Sequence, residues 1–284
     1  MENSLKNLLN KHGFSFKKAY GQNFLTDTEL LSEIVENAGV KETDTVLEIG
    51  CGAGALTREL CKKAKRVVGY EIDYKLKPVL SETLSDFDNV EIVFKDVMRE
   101  KLSDLENKLG DGYIMVANLP YYITSPIIMQ FIEHAQKMKA MVVMVQEEVA
   151  LRLTAKPATS DYGAITVAVD LRGNSEIIKY VGREMFTPPP NVDSAVVKIV
   201  IDKNKFQNVD YKSVRDTVRA GFTSRRKMLV NNLMQSYKLT RPQAENALIN
   251  ANLSLTCRGE TLSAKDYILL SDSIKNIKEN TNET

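Results

Sequence analysis

The chain reads as a doubly wound α/β protein with a mostly parallel sheet, followed by a small all-helical domain. Three observations predict this. Short β-branched runs alternate with helical patterns through the first two hundred residues. Several of those runs are almost continuously apolar, as strands covered on both faces are. Strand signals stop after Ile201, and only helix starts follow.

Seven strands are expected, at Thr45–Ile49, Arg66–Ile72, Val90–Phe94, Tyr113–Ala117, Ala140–Val145, Ile165–Leu171 and Ala195–Ile201. Thr26-Asp-Thr-Glu29 reads as a capping box opening a helix whose apolar stripe runs Leu30, Leu31, Ile34, Val35 and Ala38, with Gly39 as the stop. Ser125 and Pro126 read as an N-cap and first helical residue before Ile127, Ile128, Phe131 and Ile132. Between the last two strands stand three prolines, Pro188–Pro190, where no crossover helix fits. An antiparallel last strand is the simpler expectation. Thr240-Arg-Pro-Gln243 and Ser263-Ala-Lys-Asp266 then read as helix starts. These boundaries predict a catalytic domain over residues 1–203 and a helical domain over 204–284.

Composition excludes several classes. With 284 residues, 43% hydrophobic and 26% charged, the chain can bury a sizeable core. No apolar stretch is long enough to span a bilayer. The first eighteen residues are polar and lack the pattern of a signal peptide, which predicts a cytoplasmic location. Three cysteines and two histidines, none at metal-ligand spacing, predict no metal and no disulfide framework. A monomer is the default. Net charge is +1, but residues 204–284 hold 13 Lys and Arg against 8 acids, while residues 1–203 hold 25 against 29. The carboxyl-terminal module is thus the one suited to an anion such as nucleic acid.

The cofactor signal is Val46-Leu-Glu-Ile-Gly50-Cys-Gly52-Ala-Gly54, where the first strand turns into a helix. Open α/β sheets bind nucleotides at that place. A dinucleotide dehydrogenase would carry G-x-G-x-x-G, whereas the spacing here is G-x-G-x-G preceded by Glu48. That form suits S-adenosylmethionine, which has no pyrophosphate. Glu71 ends the second strand, 21 residues beyond Gly50, where a carboxylate accepts ribose hydroxyls. Ile72 can pack on the adenine face. Asp96 ends the third strand, where it can accept from the adenine amine, and Val97 beside it joins the cofactor-binding set.

Asn118-Leu-Pro-Tyr121 closes the fourth strand. The Asn118 side-chain oxygen and the Leu119 carbonyl are acceptors for a weakly nucleophilic amine, holding it in line and dispersing developing positive charge. Tyr121 offers a flat face for an extruded base. This tetrapeptide alone allows a planar amide, as in glutamine, as well as an amine. Phe186, opening Phe186-Thr-Pro-Pro-Pro190, is expected to form the opposite wall.

An RNA substrate must also be gripped. Arg225, Arg226 and Lys227, with Lys17 and Lys18, are the candidate phosphate contacts. Thr223 or Ser224 can cap a new helix carrying the cluster. The alternative is that these arginines pair with acids of the catalytic domain and dock the two domains.

Together these residues resemble the ribosomal RNA adenine dimethyltransferase family. The likeness runs from about Lys17 to Ser263. It includes Gly21-Gln-Asn-Phe-Leu25, the glycine loop, Asn118–Tyr121, Phe186-Thr-Pro-Pro-Pro-Asn-Val-Asp-Ser194, Arg225-Arg-Lys-Met-Leu229 and Arg258-Gly-Glu-Thr-Leu-Ser263. The resemblance implies a Rossmann-like methyltransferase sheet. It implies cofactor contacts at Asn23, Leu25, Gly50, Glu71, Asp96 and Asn118, with Gln22 near the cofactor carboxylate; Gly52 joins the cofactor-binding set through the glycine loop. Asn118, Tyr121 and Phe186 match positions that hold the target adenine. The small-subunit branch fits best, implying dimethylation of two adjacent adenosines in a hairpin near the 3′ end of small-subunit rRNA, within an immature subunit. Rival readings are a large-subunit rRNA methyltransferase of the macrolide-resistance type, a protein-glutamine methyltransferase and a ribosome-assembly factor whose catalysis is secondary.

Overall fold

The protein is described from a computed structural model, which covers residues 2–14 and 22–282. Lys17 and Lys18 lie outside the described residues. Two compact units emerge: residues 1–150 with 174–201, and residues 151–173 with 202–284.

The first unit opens with α1 (Glu2–Lys11), β1 (Phe24–Leu25) and α2 (Thr28–Ala38). Strands and helices then alternate: β2 (Thr45–Ile49), α3 (Ala55–Cys61), β3 (Arg66–Glu71), α4 (Lys77–Thr83), β4 (Val90–Phe94), α5 (Leu102–Leu109), β5 (Tyr113–Asn118), α6 (Thr124–His134) and β6 (Met138–Gln146). After α7 (Glu147–Thr154) and α8 (Ala164–Arg172) come β7 (Gly173–Val181), β8 (Phe186–Thr187) and β9 (Ser194–Ile201). The second unit continues with α9 (Tyr211–Gly221), α10 (Leu229–Tyr237), α11 (Arg241–Asn250) and α12 (Ala264–Asn282).

The main sheet has the order β4-β3-β2-β5-β6-β9-β7. Pairing is parallel from β4 across to β6. Strand β9 runs antiparallel to β6, with Ala140 opposite Val200 and Gln146 opposite Ser194. The chain winds outward from β2 through β3 to β4, then returns to the other side of β2 with β5. That reversal opens a crevice at the carboxyl ends of β2 and β5, where doubly wound sheets bind ligands. The stripe predicted on α2 is buried, together with Val46, Ile114, Val116 and Val142 from the sheet.

Several local expectations are corrected. Ile165–Leu171 is not a strand but the body of α8. Its β-branched residues suggested extension, yet Val167 and Leu171 sit four apart on one helical face and join the core of the second unit with Val218, Leu233 and Tyr267. The Gly163 N–H donates to Thr166 Oγ1 at 3.1 Å at the helix start. The seventh strand is instead β7, rich in polar residues and at the sheet edge. Residues 151–173 therefore pack with the helical unit, so a boundary drawn at 203/204 misses a return segment.

Capping differs too. Asp27, not Thr26, caps α2: its Oδ1 accepts from Leu30 N at 2.9 Å. Helix α6 begins at Thr124, so Ser125 lies inside it; Thr124 Oγ1 donates to the Pro120 carbonyl at 3.0 Å. No helix starts at Ser224; α10 begins at Leu229, leaving Arg225–Lys227 in the preceding turn. The starts at Thr240 and Ser263 hold, each side chain exchanging hydrogen bonds with its i+3 partner.

Asp27→Ala should destabilise the protein by about 1 kcal/mol in urea unfolding, whereas Thr26→Ala should change little. Equal losses would return the cap to Thr26.

Candidate active site

A cavity of about 300 Å³ occupies the crevice at the strand ends of the first unit. It is built from four successive carboxyl termini: Gly50 after β2, Glu71 ending β3, Asp96 after β4 and Asn118 ending β5. Gly50, Gly52 and Gly54 have φ of 81°, 55° and 87°, a region side chains disfavour. Space also matters at Gly52, where a Cβ would sit 3.0 Å from the Phe24 ring.

Glu71 organises the loop. Its Oε2 accepts from Gly52 N at 2.9 Å and its Oε1 from Asp73 N at 2.8 Å. Burial raises its pKa, and these backbone donors oppose the rise. The Ile72 N–H is a third such donor, and the carboxylate as a whole keeps acceptor capacity for a ligand. Gln22 Nε2 donates to Asp73 Oδ2 at 3.1 Å, which ties the segment before β1 to the same turn. Asp96 Oδ1 accepts from Met98 N at 3.0 Å, and Arg99 Nε lies 3.5 Å from Oδ2. Ile72 remains exposed at the rim.

Glu48 is the most unusual group. It is 1% exposed, it lines the cavity, and its Oε2 has no hydrogen-bond partner among the described residues. Burial pushes its pKa up to about 8, with the Thr57 hydroxyl opposing and the nearby Glu71 adding to the rise. Such an atom suits a cationic ligand.

At β5, Asn118 Nδ2 donates to the Asn23 carbonyl at 3.3 Å. That bond leaves Oδ1 as the acceptor available to a substrate amine. The Pro120 carbonyl accepts from Ile123 N at 3.1 Å as well as from Thr124, which closes the turn after Leu119. Tyr121 lines the cavity, and its Oη lies 2.7 Å from Ser194 Oγ.

The structure thus gathers Gln22, Asn23, Leu25, Gly50, Gly52, Glu71, Ile72, Asp96, Val97, Asn118, Leu119 and Tyr121 around one cavity. It does not bring Phe186 there. That ring is 3% exposed within the sheet core, and its backbone pairs with Leu25 in a two-stranded antiparallel ribbon. Phe186 therefore braces the segment carrying Asn23 instead of forming an open wall. The aromatic that does stand open at the cavity is Tyr122, 56% exposed. Sequence reasoning also missed Leu5 and Leu8 of α1, which line the cavity. The spacing of Leu5, Leu8 and Leu9 was the available signal.

In the second unit, Arg225 is engaged within the unit. Its Nε donates to Glu260 Oε2 at 2.6 Å, and a terminal nitrogen donates to the Thr159 and Ser160 carbonyls at 3.3 and 2.5 Å. Ala158 N donates to the Glu260 carbonyl and Tyr162 Oη to the Leu262 carbonyl. The loop before α8 is pinned by these bonds. Arg226 and Lys227 are exposed. Among the described residues no acid, His or Cys cluster could hold a metal, and no helix is long and apolar enough to cross a membrane.

A doubly wound sheet with an antiparallel β9 and a cavity of this construction defines a Rossmann-like methyltransferase. The family described as ribosomal RNA adenine dimethylase matches residues 13–274, and the chain belongs to that family. It is 42% identical to the ribosomal RNA small subunit methyltransferase A of Bacillus licheniformis, over 96% of both chains. The enzyme of that name from Clostridioides difficile is also 42% identical, over 96% of this chain and 95% of the relative. Among solved structures, a dimethyladenosine transferase from Plasmodium falciparum superposes with a TM-score of 0.77, at 25% identity, covering 90% of this chain and 98% of that one. The 23S rRNA methyltransferase ErmE gives 0.69 at 28% identity, covering 89% and 100%.

The Glu48 pKa predicts a pH effect. The folded state holds the Glu48 proton up to about pH 8, the unfolded state only to about 4.5. Folding therefore takes up a proton in that window, and this contribution to stability is lost as pH rises from about 4.5 through 8. Glu48→Gln should gain on wild type progressively across that range, by ~1–4 kcal/mol at the alkaline end. A stability difference that stays constant with pH would contradict the assignment.

Proposed function

We propose that the chain transfers methyl groups from S-adenosylmethionine to the N6 amines of two adjacent adenosines in small-subunit rRNA, acting as a monomer in the cytoplasm on an immature subunit. The observation that carries this reading is the Asn118 amide, which lines the cavity and spends its Nδ2 on the Asn23 carbonyl, leaving Oδ1 as the acceptor. The site fits the donor on its own chemistry. Glu48 leaves a buried carboxyl oxygen without a partner, which suits a cation. Glu71 retains acceptor capacity for ribose hydroxyls. Gln22, which lines the cavity, is the residue assigned to the amino-acid end.

When bound, S-adenosylmethionine supplies an electrophilic methyl group on a sulfonium. Asn118 Oδ1 and the Leu119 carbonyl accept the two N6 hydrogens and turn the nitrogen lone pair towards it. Both acceptors also stabilise the positive charge that grows on nitrogen during transfer. A monomethylated N6 still has one hydrogen, so one acceptor suffices for the second round. Tyr121 supplies the stacking face, and apolar neighbours such as Leu119 and Ile127 exclude water. Arg226 and Lys227, both exposed, are the cations assigned to phosphates, and Lys17 and Lys18, outside the described residues, are assigned to the same task; Arg225 acts by holding its loop.

The likeness to ErmE favours a second reading, in which large-subunit RNA is the substrate. Offering labelled donor with immature small subunits and, separately, with naked large-subunit RNA decides between them. Label is expected in the former, at adenine N6, and label only in the latter would overturn the small-subunit reading. Asn118→Ala should lower kcat by at least a hundredfold on the true substrate, since it removes a charge-stabilising acceptor.

A further inference from the structure

The motif Phe186–Ser194 ends on residues to which the reaction gives no role. Ser194 is fully buried, at 0% exposure, and opens β9 just before the apolar run Ala195-Val-Val197. A hydroxyl in such a position costs stability unless it is hydrogen-bonded. Its partner is the phenol of Tyr121, 73 residues earlier, at 2.7 Å.

Ser194 is a rigid post. It faces Gln146 in the antiparallel pairing of β6 and β9. The chain just before it is held twice: Glu147 N donates to the Asp193 carbonyl at 3.0 Å, and Arg183 N donates to Asp193 Oδ1 at 3.0 Å. Tyr121, by contrast, sits in the turn between β5 and α6, with its side chain on the cavity.

A phenolic O–H lies in the plane of its ring. A fixed partner for Oη therefore restricts both where the ring tip lies and how the ring face is turned. Burial raises the Tyr121 pKa, so the phenol keeps its proton at working pH. We propose that Ser194 is a positioning residue for methyl transfer, holding the Tyr121 ring at the angle that receives the flipped adenine. This rests on the reading that Tyr121 stacks on the target base. It gives the end of the Phe186–Ser194 motif a task. Phe186 braces the Asn23 segment at one end, and Ser194 orients the stacking face at the other.

The test is a double-mutant cycle on the full-length protein with immature small subunits. Ser194→Ala and Tyr121→Phe should each lower kcat about fivefold to tenfold, the worth of one buried hydrogen bond. KM for the subunit should stay within about twofold, because the RNA grip lies elsewhere. The double variant should be no worse than either single one, because both remove the same bond. The Kd for S-adenosylhomocysteine, measured by calorimetry, should be unchanged in all three, which also reports a folded donor site. Multiplying effects, or an unaltered kcat in Ser194→Ala, would overturn the positioning role. A Tyr121→Ala variant that keeps full activity would instead overturn the stacking reading on which it rests.

Discussion

The parallel pairing of β2 with β3 on one side and β5 on the other is the constraint on which the site depends. It places Gly50 and Asn118 at adjacent strand ends, so that a Cβ on Gly50 would lie 3.6 Å from the Asn118 carbonyl oxygen. Donor loop and acceptor tetrapeptide are thus neighbours through backbone hydrogen bonds alone. No side chain has to bring them together. Reversal of winding at the same two strands leaves the crevice uncovered by a crossover, so the cavity and its chemistry share one topological cause.

The cavity wall then concentrates acids: Glu48, Glu71 and Asp96 line it, with Asp73 next to Glu71. Repulsion between them is managed unequally. Glu71 is held by three backbone donors, Asp96 by one and by Arg99, whereas Glu48 has burial without enough partners and retains its proton. A cationic ligand bound there, as proposed, would change that balance, since positive charge beside Glu48 favours its ionised form.

Much of this was legible in the chain. Strand ends reveal themselves because buried strands are apolar and the functional residue follows directly, as at Ile49–Gly50 and Ala117–Asn118. What sequence hid was of two kinds. One was period: Val167, Val169 and Leu171 suit a strand by composition, and only packing against α9 and α12 makes α8 a helix. The other was orientation: Phe186 and Tyr121 are both aromatic residues in motifs, yet one is pulled inward by the β1–β8 ribbon and the other is held on the cavity. A motif names residue types, while the direction of a ring is set by what its neighbours pair with.

The basic turn before α10 makes the same distinction for charge. Arg225, Arg226 and Lys227 read as one basic run in sequence, but among these three Arg225 alone has its head group closed around a carboxylate and two carbonyls of the described residues. An Arg fork suits that task because several donors leave one plane together, which a lysine cannot reproduce. The loop it holds includes Ala158 with φ of 67°, a costly conformation for a residue with a Cβ, so the clamp offsets local strain. The fully buried Asn232 supports the turn from beneath, donating to the Gly221 and Ser224 carbonyls at 3.0 and 3.1 Å. With its backbone fixed below and Arg225 turned to its own loop, the turn presents Arg226 and Lys227 to solvent from a rigid base. Cations held that way lose less conformational freedom on meeting a phosphate backbone than the same residues would on a loose loop.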